Sequence, residues 1–386
     1  MILHIINSDF GVKNTIGIRS YYITKEANNY FYIFCRNYNK NINLHNVKIK
    51  QIFPFAHYVM KFLTAIPIYI KKNFPSNEIK NNIFEFALIS KVKDLNLKNV
   101  DVIHSWEFLP NFYRYIKSKN PDIKIIQDVP MALPNVLKDI KNYEKLFGKV
   151  EIPQYVKKSL NYIDYYISPS EFVKKSLINE GIDENKIFVV PFGVDVGRFK
   201  PIEKDHFGTF KVAFSGNVNN RKGILYLIQA WKELNLKNAE LNLYGIVYPE
   251  VRKYLKNANK YNIKLYGFVK NIELELPKNH IYVFPSLLEG SAKSIYEALA
   301  CGLPVITTEN SGSVVEDGKD GFIIPVQNVE AIKEKILFFY ENRNEIVKFG
   351  KNARKKAEKY TWENYGKKVN EIYELVNNHE QNFICP

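Results

Sequence analysis

Cysteine is scarce in this chain, and the spacings that make cysteine chemically useful are absent. The 386 residues include only Cys35, Cys301 and Cys385, and no two of them are close enough to form a paired metal-binding or disulfide motif. We therefore expect a protein of a reducing compartment, the cytoplasm. The N-terminal stretch MILHIINSDFG lacks a basic lead and has only a short apolar part, so it predicts a first β-strand and not a signal peptide.

Long apolar runs are missing as well. No stretch approaches the ~20 apolar residues that a membrane-spanning helix needs. Residues 53–74 nevertheless combine aromatic and aliphatic side chains with Lys61, Lys71 and Lys72 and contain no acidic residue. Two interpretations fit this composition: a segment that lies at an anionic membrane surface, on its inner face, or a core helix that breaks at Pro67.

Acidic residues are in deficit, and the deficit is uneven. The formal net charge is +15, and residues 1–200 carry 29 Lys and Arg against 18 Asp and Glu, whereas residues 201–386 carry 26 against 22. A basic surface attracts nucleic acid, anionic lipid or an anionic substrate. The chain has no helix-turn-helix, zinc-finger or RNA-recognition motif, so we expect no nucleic-acid partner.

What the chain does contain is a regular alternation of short apolar segments with helical patterns, which is typical of doubly wound parallel sheets. Its length allows about two domains. The clearest unit surrounds residues 285–305, where an apolar strand leads into a helical pattern that starts at Ser291 and ends at Cys301. Gly302 can adopt the left-handed cap there, and Pro304 cannot continue the helix.

The start of this helix predicts an anion-binding site. Ligands of parallel sheets lie at the carboxyl ends of the strands, where helices present unpaired N–H groups. We therefore expect an anion beside four consecutive residues, Gly290, Ser291, Ala292 and Lys293.

Two carboxylates bracket the predicted anion site. Glu289 precedes the helix, and Glu297 follows eight residues later, roughly 10 Å along the helix axis. That separation suits a diphosphate with a polyol on either side, which is the layout of a nucleotide sugar. Two glutamates at this spacing are also common on solvated helices, so the neighbouring motifs decide between the two interpretations.

A second loop predicts further anion contacts. Residues 216–223, GNVNNRKG, lie between an apolar strand and a helix. Gly216 and Asn217 allow a close approach of the backbone, while Arg221 and Lys222 can bring two cations to a diphosphate. A solvated pair of basic residues is the alternative interpretation of this loop.

Taken together, the strings FPS, EGSA and EALACGLPVI within residues 284–306 resemble the nucleotide-sugar signature of glycosyltransferase family 4, a retaining family with the GT-B fold. The string PFGVDVGRFKP, residues 191–201, resembles the interdomain connection of that family. The resemblance implies two Rossmann-like domains facing across a cleft. Residues 1–195, completed by a C-terminal helix at 362–386, would form the acceptor domain, and residues 196–361 the donor domain.

The resemblance also implies roles for individual residues. Glu289 would hold the donor hexose, Glu297 the ribose diol, and Arg221 with Lys222 the diphosphate. Gly11 lies on a loop that approaches the diphosphate from the first domain in this family, and Phe268 lies on the strand end that holds the nucleobase.

Two positions depart from the family pattern. Many members carry an Arg where this chain has Asn217, and a His near the scissile bond where it has Gln127. Gln cannot act as an acid or base, so either no protein base is needed or His104 or Asp128 takes over that role.

We expect transfer of a sugar from a nucleotide diphosphate sugar to a glycan or glycolipid acceptor. No Asp-x-Asp triplet occurs, so we expect no metal, and no cofactor besides the donor itself. The alternatives are a GT-B phosphorylase or an epimerase, and a non-catalytic protein that binds nucleotide sugars.

Overall fold

A computed structural model describes residues 1–12, 16–52, 76–148, 151–205 and 207–377, without the side chains of residues 76–80 and 139. Residues 53–74, with the choice between a membrane-surface segment and a core helix, lie outside the described part. No helix within the described ranges is both long and apolar enough to cross a membrane.

Residues 1–189 build one parallel sheet. Its strands are β1 (Ile2–Phe10), β2 (Phe31–Tyr38), β3 (Val47–Gln51), β4 (Val102–Ser105), β5 (Lys124–Asp128), β6 (Tyr165–Ser168) and β7 (Ile187–Val189). The spatial order is β3-β2-β1-β4-β5-β6-β7. The chain therefore winds outward from β1 in one direction and from β4 in the other, and the order reverses between these two strands.

Helices cover both faces of this sheet. They are α1 (Gly17–Lys25), α2 (Ser76–Val92), α3 (Pro110–Lys119), α4 (Tyr143–Phe147), α5 (Gln154–Leu160) and α6 (Glu171–Ile178). Because the strands are covered on both sides, β4 and the last four residues of β5 are buried throughout, as expected for an interior parallel strand.

A second parallel sheet follows. It contains β8 (Phe210–Ser215), β9 (Ala239–Tyr244), β10 (Ile263–Gly267), β11 (Ile281–Phe284), β12 (Val305–Thr307) and β13 (Gly321–Ile323) in the order β10-β9-β8-β11-β12-β13. Its helices are α7 (Ile224–Leu234), α8 (Pro249–Arg252), α9 (Ile272–Glu275), α10 (Lys293–Ala300), α11 (Val329–Glu341) and α12 (Arg343–Ala357). Here the order reverses between β8 and β11. The two sheets with their helices are two Rossmann-like units, as the fold prediction stated.

The last helix, α13 (Trp362–Asn377), returns to the first sheet. The Trp362 ring stacks on Tyr22 with the centroids 5.9 Å apart, and the Asn370 side chain donates to the carbonyl of Ile23 at 2.9 Å. Gly366 packs against the carbonyl of Tyr22, where a Cβ would overlap with it. A helix at the end of the sequence thus completes the surface of the N-terminal unit.

One predicted boundary was wrong. The helix expected from Ser291 begins at Lys293. The end of that helix follows the prediction, because Gly302 adopts φ +69°. Ile295, Ala298 and Leu299 are fully buried, which fixes the face that α10 presents to the sheet.

Candidate functional site

The site lies where the strand order of the second sheet reverses. The loop after β8 and the loop after β11 leave neighbouring strands at their carboxyl ends, which is the place where doubly wound sheets bind ligands. The carbonyl of Arg221 accepts from the Leu287 N–H at 2.9 Å and from the Ser286 hydroxyl at 3.1 Å. The two loops are therefore fastened to each other by their backbones.

Glycine makes this close approach possible. Gly223 has φ +67°, and a Cβ at this position would overlap with the carbonyl of Pro285. The side chain of Asn219 accepts from the Lys222 N–H at 3.2 Å and caps the short 3₁₀ turn Asn220–Lys222. These two features aim the side chains of Arg221 and Lys222 at the other loop.

Glu289 is the meeting point of the two loops. Its Oε1 lies 2.8 Å from Arg221 Nη1 and 2.7 Å from Lys222 Nζ. Glu289 itself is 8% exposed. Burial lowers the pKa of Lys222, while the Glu289 carboxylate acts in the opposite direction. Glu289, the residue predicted to bind the hexose, is thus in contact with Arg221 and Lys222, the residues predicted to bind the diphosphate.

The helix α10 brings the second carboxylate. Lys293 is its first residue, and the Ile295 N–H in the first turn donates to the carbonyl of Ala292 at 2.9 Å, so the N–H groups of Lys293 and Ser294 are those with no acceptor within the helix. The Ala292 N–H does not join them, because it donates to the carbonyl of Ser311 at 3.0 Å. Burial raises the pKa of Glu297 to about 7, although Lys293 and Arg198 favour its ionised form.

One cavity of about 410 Å³ joins these groups. Nine of the predicted site residues line it: Gly216, Asn217, Lys222, Phe268, Glu289, Ser291, Ala292, Lys293 and Glu297. Its volume lies within the ~300–1,000 Å³ typical of small-molecule sites. The cavity is therefore lined by two lysines, Lys222 and Lys293, by the start of α10 and by two carboxylates.

Part of the cavity lining is apolar. Phe268 is 77% exposed and Ile246 is 55% exposed, and both line the cavity. Tyr244, another lining residue, stacks on Tyr266 with ring centroids 4.6 Å apart. Flat apolar groups that face an open cavity can pack against a planar ring of a ligand.

Sequence reasoning missed several lining residues. Ser215, Tyr244, Gly245, Ile246 and Ser294 belong to the cavity but were not among the candidates. The missed signal is that Ser215 ends β8 and Tyr244 ends the adjacent strand β9, so both lie at the same carboxyl edge. Gly245 approaches the carbonyl of Gly216 so closely that a Cβ would overlap with it.

Gly290 and Gly11 do not line the cavity. A Cβ on Gly290 would overlap with the carbonyl of Pro130 in the first domain, and its own carbonyl accepts from the Ser170 hydroxyl at 2.5 Å. Gly290 thus joins the Glu289 loop to the first domain. Gly11 has φ +69° at the end of β1, where its N–H donates to Gly17.

His104 and Asp128, the candidate acid or base residues, lie inside the first domain and not at the cavity. His104 is fully buried, stacks on Trp106 at a centroid distance of 4.0 Å, and shares a hydrogen bond of 2.5 Å with the Tyr373 hydroxyl. Asp128 is 1% exposed and pairs with Arg19 at 2.6 Å. Neither can touch a substrate in this conformation, so we assign neither a catalytic role.

Gln127 is also structural. Its side chain accepts from the Tyr113 hydroxyl at 2.7 Å and donates to the carbonyl of Ser105 at 3.1 Å. No group of three or more metal-ligating side chains occurs in the part of the chain that the structure describes.

Two family models match adjoining parts of the chain. The model described as Glycosyltransferase Family 4 matches residues 32–198, and the model described as Glycosyl transferases group 1 matches residues 199–356. The two matches meet in the connection between the sheets and leave residues 1–31 and 357–386 outside.

Curated relatives are similar at low identity. An uncharacterized glycosyltransferase of Methanocaldococcus jannaschii is 29% identical over 55% of this chain and 59% of its own length, and a second one from that organism is 23% identical over 82% and 90%. A capsular polysaccharide biosynthesis glycosyltransferase of Staphylococcus aureus is 29% identical over 50% of this chain and 56% of its own length. The chain therefore spans little more than half of the first and third of these relatives.

Solved structures share the fold. A sucrose-phosphate synthase from Thermosynechococcus elongatus superimposes with a TM-score of 0.71 at 16% identity, over 98% of this chain and all of the other. Anabaena HepE, solved in complex with UDP, gives a TM-score of 0.67 at 14% identity, over 97% and 99%. At such identities the likeness concerns the GT-B architecture alone.

Proposed function

The chain belongs to glycosyltransferase family 4, and from this premise we propose that it transfers a sugar from a nucleotide diphosphate sugar to a glycan or glycolipid acceptor, with retention of the anomeric configuration. One observation carries the proposal. Lys222, Glu289 and Glu297 line a single cavity at the reversal of the strand order, beside the start of α10.

The donor would lie along the wall formed by these groups. Lys222 and the first turn of α10 would face the diphosphate, where a positive charge and unpaired N–H groups favour an anion. Glu297 would accept hydrogen bonds from the ribose hydroxyls, and Phe268 with Ile246 would pack against the base. Glu289 would then face the hexose at the other end.

The chemical difficulty is negative charge that accumulates on the leaving diphosphate. Donors that already contact the diphosphate before the chemical step lower the barrier because they need no reorganisation during the reaction. Lys222 and α10 supply such donors, so we propose that transfer needs no divalent metal. Activity that disappears with a chelator and returns with Mn²⁺ would contradict this part of the proposal.

The acid or base candidates of the first domain do not line the cavity. His104 and Asp128 are buried in that domain, and the Gln127 side chain is engaged in three hydrogen bonds. We therefore propose that the acceptor attacks from the face of the leaving group, whose phosphate oxygen takes the proton. This route gives retention without a protein base.

The acceptor is proposed only as a class. The first unit would bind a glycan or glycolipid, and contact with an anionic membrane surface stays a prediction because residues 53–74 lie outside the described part. Replacing Lys61, Lys71 and Lys72 by Ser and measuring sedimentation with anionic liposomes tests that contact. Unchanged liposome binding would remove it.

A thermal-shift screen of UDP-, GDP-, ADP- and CMP-sugars is the first experiment, because a ligand that binds only the folded state raises the apparent Tm. We expect at least one nucleotide sugar to raise Tm in the wild-type protein and to lose this effect in Lys222→Gln. The selected donor is then incubated with glycan and glycolipid acceptors, and the anomeric configuration of the product is read by NMR. Phosphate-dependent release of a free sugar phosphate, or binding without turnover over the whole acceptor panel, would contradict the proposal.

A further inference from the structure

Arg221 and Lys222 are adjacent in sequence and contact the same carboxylate, but they occupy different places. Lys222 lines the cavity, whereas Arg221 does not. We propose that Arg221 is a positioning residue that holds Glu289 against the donor hexose, and that Lys222 alone moves from Glu289 to the diphosphate when the donor binds. This inference rests on the proposed function. It assigns recognition of the hexose to Glu289 with Arg221, and recognition of the diphosphate to Lys222.

Arg221 and Lys222 share one oxygen of the Glu289 carboxylate. Both cations contact Oε1 of Glu289, at 2.8 Å and 2.7 Å. The hydrogen bond from Lys222 Nζ goes to Oε1, and no hydrogen bond to Oε2 is found among the described residues. The carboxylate therefore keeps one oxygen for a ligand even before the donor arrives, and a hexose hydroxyl is the group that would donate to it.

Arg221 and Lys222 differ in how firmly their side chains are fixed. Arg221 Nη1 also contacts the carbonyl of Leu288 at 2.8 Å, so its guanidinium bridges the backbone and the side chain of consecutive residues. This nitrogen donates to the Leu288 carbonyl and forms an ion pair with the Glu289 carboxylate, so the hydrogen bond to the backbone holds Arg221 beside Glu289. Lys222 lacks such a second oxygen contact and instead lies over the Phe284 ring, 4.7 Å from its centroid.

Lys222 can exchange Glu289 for the diphosphate. An ammonium group is a compact charge on a flexible stem, so Lys222 can turn from Glu289 to a diphosphate in the same cavity. Its departure would leave Glu289 buried without a partner if Arg221 were absent, and an unpaired buried charge is unfavourable. Because Arg221 stays, Glu289 keeps a partner and its alignment while the diphosphate takes Lys222.

The two cations should therefore affect different parts of the donor. Loss of Lys222 weakens binding of every molecule that contains the diphosphate, with or without the hexose. Loss of Arg221 weakens binding only of molecules that contain the hexose. The backbone hydrogen bonds to the Arg221 carbonyl survive any substitution of its side chain, so the loop keeps its place in Arg221→Gln.

The test measures Kd by calorimetry for the pairs UDP and UDP-glucose, GDP and GDP-mannose, and ADP and ADP-glucose. The pair that the wild type binds most tightly is then used for the variants. In Arg221→Gln we expect the Kd of the nucleotide sugar to rise about tenfold or more, as for loss of a hydrogen bond to a charged group, and that of the nucleoside diphosphate to change less than about twofold. In Lys222→Gln both should rise about tenfold.

Two further variants complete the design. Arg221→Lys keeps a cation near Glu289 and should recover part of the nucleotide-sugar affinity. Arg252→Gln, at an exposed arginine of α8 outside the cavity, should leave both constants unchanged. Equal losses for both ligands in Arg221→Gln would show that Arg221 binds the diphosphate itself, and no loss would show that it does not position Glu289. Either result overturns this inference but leaves the proposed function intact, whereas a wild type that binds no nucleotide overturns both.

Discussion

The two sheets reverse their strand order in the same way, yet the residues at the two reversals do different things. In the first sheet the reversal lies between β1 and β4, where His4 pairs in register with His104 and both histidines are fully buried. In the second it lies between β8 and β11, where two loops surround an open cavity. The same topology therefore supports a closed polar network in one unit and a ligand site in the other.

The buried polar network of the first unit links its sheet to α13. The Tyr373 hydroxyl contacts His4 Nε2 at 2.9 Å and His104 Nδ1 at 2.5 Å, and Asp128 pairs with Arg19 and accepts from the Tyr365 hydroxyl at 3.3 Å. Because two of these partners come from α13, the network ties the end of the chain to the first sheet. The titratable residues at the ends of β4 and β5 therefore bind α13 and do not line the cavity.

The sharpest test of this contrast is to remove the Lys222 ammonium from the cavity. In Lys222→Ala we expect kcat/KM for sugar transfer to fall about 10²–10³-fold, the usual effect of losing one fixed donor to a developing negative charge. The measurement is steady-state transfer with the donor found by the thermal-shift screen. Lys256→Ala, at an exposed lysine outside the cavity, is the matched control and should retain full activity. Full activity of Lys222→Ala would contradict the assignment of the ligand site to the strand-order reversal of the second sheet.

Removing the network carboxylate should act on stability instead. Asp128→Asn leaves the guanidinium of Arg19 buried at 4% exposure without its counter-charge. We expect the free energy of unfolding in denaturant to fall by about 3 kcal/mol, as for other broken buried pairs. The nucleotide-sugar Kd of the folded variant should stay close to the wild-type value. A stable variant that binds donor normally but has lost transfer would instead make Asp128 a catalytic residue.

The buried histidines predict how stability depends on pH. Burial lowers the pKa of His4 to about 3 and that of His104 well below its usual range, so both stay neutral in the folded protein. The unfolded chain takes up protons below about pH 6.5, and stability is therefore lost as the pH falls from there. We expect a slope of about 1 kcal/mol per pH unit for each histidine near pH 5.5.

Denaturant titrations between pH 5 and pH 7 measure this slope. His104→Gln should remove about half of the contribution of the two buried histidines. His45→Gln replaces an exposed histidine and should leave the slope unchanged. Equal slopes in all three proteins would mean that the network does not keep His104 neutral.

The smallest expected effect concerns Glu297 in the cavity. Its pKa is raised to about 7, so the carboxyl is protonated below that pH and ionised above it. An ionised carboxylate accepts from both ribose hydroxyls, so the affinity for the nucleotide sugar should rise a few-fold between pH 6 and pH 8. Calorimetry at both pH values measures it, and Glu297→Gln should lose the dependence. Affinity that falls over this range would place another group at the ribose.

Local features of the sequence predicted a good part of this arrangement. The helical periodicity after residue 291 and the cap at Gly302 depend on neighbouring residues, so they identified α10 to within two residues of its start. The glycine-containing loop after β8 was recognised for the same reason. These signals are local because a strand end, a turn and a helix start each need particular residue types in sequence.

Contacts between residues that are far apart in the sequence could not be predicted from it. Lys222 and Glu289 are 67 positions apart, and nothing in either segment states that both cations would contact the same oxygen. The hydrogen-bond partner of His104, Tyr373, comes from the last helix, 269 positions away, so the sequence could present His104 as a free histidine at a strand end. Gly290 was expected at the anion but packs against the first domain, because the approach of Pro130 depends on how the two units meet.

A crystal structure of the protein with the nucleotide sugar selected by thermal shift would test the central claim most directly. We predict diphosphate oxygens within hydrogen-bond distance of Lys222 Nζ and of the first turn of α10, with the ribose hydroxyls on Glu297. A nucleotide bound elsewhere, or one whose diphosphate contacts neither Lys222 nor α10, would contradict the account.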